Sequence, residues 1–155
     1  TLDSMKQTMT NRTRLLENLD DPVLQLLFVC RNITNHKTVV YEGWTVKDIL
    51  GHITFWHESF SRNVRDLVDD RKPKPLRGTY KELNQSCFAE FSSLPMDTII
   101  SRLEEAHQVI QEHILNDKIK LIPYRIGSRD YSPGEHLEVV NDHIKAHIKD
   151  IENAI

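Results

Sequence analysis

The sequence is short of the features that stabilise secreted and membrane proteins. Its 155 residues include two cysteines, Cys30 and Cys87. That is too few for a disulfide framework, and both fit helical segments as small apolar side chains, so a reduced, cytoplasmic setting is expected. Five glycines are too few for a fold rich in tight turns. No apolar run approaches the roughly 20 residues needed to span a bilayer. The opening Thr1-Leu2-Asp3-Ser4-Met5-Lys6 lacks the apolar centre of a secretory signal. Excess positive charge is missing too: a net charge of -3 gives phosphate backbones nothing general to bind. The one basic cluster, Lys72, Lys74 and Arg77, reads as part of a solvated loop. No membrane and no nucleic-acid partner is expected.

What is present suits a soluble all-α protein. A hydrophobic content of 39% with 28% charged residues predicts one domain over residues 1–155 with a substantial core. Leu15, Leu16, Leu19, Val23, Leu26, Leu27, Cys30 and Ile33 keep one helical phase, so a first helix is expected, kinked or broken at Asp20-Asp21-Pro22. Residues 35–43 have no helical period and form a connection, extended near Lys37 to Tyr41. Thr45 and Asp48 make an acidic capping box for a second helix. Its stripe, from Val46 through Ile49, Ile53, Trp56, Phe60 and Val64 to Val68, predicts about six turns. A third helix begins near Tyr80, is interrupted at Ser92-Ser93-Leu94-Pro95, where Ser93 or Asp97 can cap it again, and runs on to Leu115. The connection 116–131 carries Ile119, Leu121, Ile122 and Ile126, apolar enough to fold over a bundle end. Ser132-Pro133-Gly134-Glu135 then opens the last helix with a capping box and proline in the first turn. Four long amphipathic helices with long connections between them imply a four-helix bundle.

Histidine is the residue type in excess. His143 and His147 stand four apart on the last helix, beside the stripe Leu137, Val140, Ile144, Ile148 and Ile151. Their rings project from one face and can share a metal ion. Eight histidines placed at random would give roughly 0.4 such pairs, so hydrogen-bonded boundary histidines remain the alternative on spacing alone. On the second helix His52 lies within about 40° of Trp56 and about 60° of Ile49 and is expected to face inward or sit at the core boundary, whereas His57 is about 140° round the helix from it. One ion cannot take both. His136 shares the phase of Val140 and His143 but sits about 10 Å up the axis and reads as an entrance or surface residue. His107 and His113 read as surface or boundary residues. Glu58 and Glu135, the nearest carboxylates to the histidines, read as surface and capping residues, so no general base is named.

With these helices placed, the segment Trp44-Thr45-Val46-Lys47-Asp48, followed by His52 and Trp56, resembles the second-helix signature of the DinB-like (YfiT-like) superfamily. Leu83-Asn84, and Tyr131-Ser132 followed by His143 and His147, resemble that family as well; the likeness runs from about Asn11 to Ile151. The resemblance implies a DinB-like four-helix bundle in which His52, His143 and His147 hold a divalent transition metal: zinc first, with nickel or iron as alternatives. Three ligands leave a coordination position open, as in catalytic sites. It implies a metal-dependent hydrolase or low-molecular-weight-thiol S-transferase acting on a small-molecule substrate. The competing expectation is a non-catalytic, stress-associated bundle that binds or sequesters a small molecule with weak or no metal. Asn84 is expected either beside the site or as a cap; Trp56 as pocket wall or core; Tyr124, Arg125 and Tyr131 within reach of a ligand. Exposed apolar side chains at the helix ends make a homodimer possible.

Overall fold

The computed structural model describes residues 2–155. Helix α1, Leu2–Asn32, runs unbroken through Pro22. The expected break is absent because Leu19, Val23 and Leu26, which flank the proline, are all but fully buried. Their packing outweighs the hydrogen bond that proline removes, a loss of about 3 kcal/mol in an exposed helix. Helix α2, Val46–Val68, starts at the expected capping box of Thr45 and Asp48. The interruption near Ser92 divides the next segment into α3, Tyr80–Phe91, and α4, Met96–His113. Neither Ser93 nor Asp97 recaps it: Pro95 is the N-cap of α4, with no side-chain cap. Helix α5, Pro133–Ala154, begins at Ser132 with its capping box intact.

Packing arranges these helices as a bundle. Helix α1 lies along α5 and α2 along α4, with the short α3 added on α2. The predicted stripes face inward: Leu19, Leu26, Ile49, Leu50, Leu103, Ile110, Leu137 and Ile144 are at most 1% exposed. Helix α2 is buried well beyond its stripe, since Thr54, His57, Ser59, Ser61 and Asn63 are buried too. It is enclosed on several sides, by α4, α3, α1 and α5. Gly51 marks the tightest approach, where an added Cβ would stand 3.0 Å from Phe91 Cβ.

Two elements outside the helices matter to the site. Strands β1, Val39–Tyr41, and β2, Trp44–Thr45, form a small antiparallel hairpin. Gly43 takes its turn at φ 78, a conformation that favours glycine. The sequence carries an extended signal there but no pairing partner. The second element is the pair of long connections: a backbone bridge at Leu76 with Arg125 joins the two, and another at Ile122 with Tyr131 closes the second on itself. Ile119 and Ile122 are fully buried and close one bundle end, while Leu121 and Ile126 stay exposed. No helix of the described residues is long and apolar enough to cross a membrane.

Candidate metal centre

Helices α2 and α5 bring the three expected histidines to one point. His143 Nε2 lies 3.4 Å from His52 Nε2 and 2.8 Å from His147 Nε2. One ligand nitrogen from each ring lies within 4.8 Å of the others. Nitrogens held tetrahedrally at about 2.0–2.1 Å from zinc stand about 3.3 Å apart. The rings therefore already sit near ligand spacing.

Their charge state suits the same role. Burial, then repulsion from His143 and His147, holds His52 down at about 3, against a smaller upward pull from Asn84. Burial, then His143, holds His147 at about 4, with Asp150 opposing. Burial also lowers His143. All three rings are neutral at pH 7, with lone pairs available.

A neighbouring network selects which nitrogen of His147 carries its hydrogen. The Tyr41 hydroxyl donates to the Asp150 carboxylate. Its oxygen is then free to accept from His147 Nδ1–H at 3.1 Å, which leaves the Nε2 lone pair facing the other two rings. A carboxylate or hydroxyl behind a ligating imidazole is the usual device for orienting it. Burial, with Asp150 beside it, pushes the Tyr41 phenol up to about 12, so it stays protonated. Tyr41 and Asp150 are residues of the candidate site that the sequence reading missed. The available signal was Asp150 at i+3 from His147; Tyr41 lies outside any helical period.

The walls are aromatic. Trp44, on the hairpin, sets its ring 5.3 Å from His52 and 4.7 Å from Phe88. Asn84 is placed beside the His52 ring, whereas Thr79 caps α3, so of its two expected roles the site is the one observed. Trp56 stacks on Tyr124 at 5.2 Å, and Tyr124 reaches Tyr131 and His136. Arg125 lies over Tyr80. Behind His143, an internal cavity of about 20 Å³ is lined by Trp56, His57, Asn63, Tyr124 and His136 among others. It has room for one water molecule.

The remaining histidines divide differently from expectation. His57 turns away from His52, as the helical phase requires, and contacts His107. His107 and His136 are buried, at 6% and 2% exposure, not at the surface. His107 falls four residues after Leu103 and three before Ile110, in the α4 stripe. That phase was the signal that could have placed it. Glu58 pairs with Arg102, and Glu135 caps α5 and pairs with Arg129. Both keep the surface and capping roles expected of them.

No protein-family model and no curated protein matches the chain. Among solved structures it is similar to the mycothiol-dependent maleylpyruvate isomerase, with TM-score 0.70 and 14% identity over 90% of this chain and 60% of that one. It is also similar to a histidine-to-alanine mutant of a mycothiol-dependent maleylpyruvate isomerase, with TM-score 0.71 and 14% identity over 93% and 61% of the two chains. The chain thus spans about three fifths of the length of these structures. The likeness is one of fold, and it is consistent with the helical bundle that the two motif segments imply.

Proposed function

We propose that residues 1–155 form a single DinB-like domain whose His52, His143 and His147 hold one divalent metal ion, zinc first, and that the site serves a low-molecular-weight-thiol S-transferase or isomerase acting on a small molecule. The observation that carries this reading is the convergence of three neutral Nε2 atoms at ligand spacing. The thiol is favoured over water as the fourth ligand by the shared fold with a mycothiol-dependent isomerase.

The bound ion would supply a Lewis acid that lowers the pKa of a thiol or water in the open position. This chain's residues supply the rest. Tyr41 and Asp150 hold the His147 ring in the tautomer that presents Nε2. Trp44 and Phe88 wall the His52 side. Asn84 offers an amide beside His52.

The first test is elemental analysis of untagged protein purified without added metal, beside His52→Ala, His143→Ala and His147→Ala. About one equivalent of metal, lost in each variant, is expected. Cobalt-substituted protein should then gain a sulfur-to-cobalt charge-transfer band when 2-mercaptoethanol is added. Absence of binding on titration, or metal retained by the variants, would refute the site. A metal that binds with no thiol band would favour the sequestering bundle.

A further inference from the structure

A second group of buried polar residues lies outside the metal centre and runs from the cavity behind His143 to the groove between α1 and α4. His57 Nε2 is 3.0 Å from His107 Nδ1, and His107 Nε2 is 2.7 Å from Asp20 Oδ1. The side chain of Asp20 is 28% exposed, in an open groove between α1 and α4 that His107 also lines. At the inner end, His57 lines the cavity that also touches His136 and the proposed ligand His143. Three helices contribute one residue each: α1, α4 and α2.

The hydrogen-bond chemistry gives this chain a direction. An ionised Asp20 can only accept, and it also takes a hydrogen bond from Gln111 Nε2 at 2.9 Å. His107 must therefore donate from Nε2, and as a neutral ring it accepts at Nδ1. His57 must then donate from Nε2, which leaves its Nδ1 as a lone pair. That nitrogen has no hydrogen-bond partner among the described residues, and its ring borders a cavity large enough for one water. His136, also at the cavity, keeps its buried Nδ1 unpartnered. Burial lowers both rings, that of His107 against the opposing pull of Asp20, so each is neutral at rest.

We propose that Asp20, His107 and His57 form a proton wire joining solvent in the α1/α4 groove to the cavity behind His143. A proton leaving the centre passes from the cavity water to His57 Nδ1. The His57 Nε2 proton moves to His107 Nδ1, the His107 Nε2 proton moves to Asp20, and Asp20 releases a proton to solvent. One proton enters and one leaves, and both rings end in the opposite tautomer, which rotation of the rings resets. A thiol or water binding at the centre sheds one proton, and this is the exit the fold provides for it. The residues are positioning and relay groups; none touches the reacting atoms.

What the wire serves rests on the metal reading, but conduction is measurable without metal. Histidine-labelled, metal-free protein is studied by nitrogen NMR and hydrogen exchange. The expected tautomers are Nε2–H at both His57 and His107, with cross-relaxation between the His57 ring and a bound water. The His57 Nε2–H should exchange with solvent about tenfold or more faster than the backbone amides of Ile53 and Phe60. Asp20→Asn, which keeps an acceptor but removes the base, should slow that exchange about tenfold while leaving the amides unchanged. His107→Gln is the second variant, with helical circular dichroism as the control for folding. The opposite tautomer at His107, a dry cavity, or imidazole exchange no faster than the amides and indifferent to both variants overturns the wire. Loss of zinc binding would count against the metal reading alone.

Discussion

Acidification of the metal-free protein from pH 7 to pH 5 should remove about 5 kcal/mol of its stability. In the unfolded chain every histidine titrates near 6.5, whereas in the fold His52 is held at about 3 and His136 and His147 at about 4. Each folded value lies below the unfolded one, so the unfolded state binds the extra protons. Stability is fully present above pH 6.5 and is lost as pH falls toward the folded values. At pH 5 a ring that stays neutral in the fold and titrates at 6.5 when unfolded costs about 2 kcal/mol. His147 is the most open of the three and is discounted to about half for solvent screening. Together these rings cost about 5 kcal/mol, and His57 and His107 act in the same direction. A domain typically has about 5–15 kcal/mol in total. Guanidinium denaturation followed at 222 nm, in chelator, at half-unit steps from pH 7.5 to 4.5, should show this loss with an unchanged m-value. Saturating zinc should move the whole transition to lower pH, because protons and metal compete for the same nitrogens. A loss below about 1 kcal/mol between pH 7 and pH 5 would mean that the rings are hydrated or already charged, and would refute the argument from burial.

Two further perturbations separate local effects. Tyr41→Phe removes the hydroxyl between Asp150 and His147 and should weaken zinc binding about 10- to 100-fold with little change in fold, read by competition titration against a chromophoric chelator. Gly51→Ala sets two effects against each other. Helix propensity favours alanine by about 1 kcal/mol. The new Cβ, however, would meet Phe91 Cβ at 3.0 Å, and a buried Cβ next to backbone cannot swing aside. Overpacking of about 1–3 kcal/mol should win, with a lower thermal midpoint; a rise would show that α3 slides away freely.

The structure divides the protein's features by the range over which they are encoded. Caps at Thr45, Thr79 and Ser132 and the apolar stripes depend on neighbours three and four residues away, so they are legible in the chain. So is the pairing of His143 with His147, because one turn of helix places them. The inward turn of His52 follows from phase against Ile49 and Trp56, although its meeting with α5 needs the bundle. Continuity of α1 through Pro22 was not legible: the local penalty argues for a break, and only burial of Leu19, Val23 and Leu26 overrides it. Tyr41 is beyond any periodic reading, since a hairpin two strands long carries it to Asp150 from a distance of 109 residues. The link from Asp20 through His107 to His57 depends on which helices are neighbours, and amphipathic stripes do not specify that. The stripe says that a residue faces inward; only the packed bundle decides what it meets there.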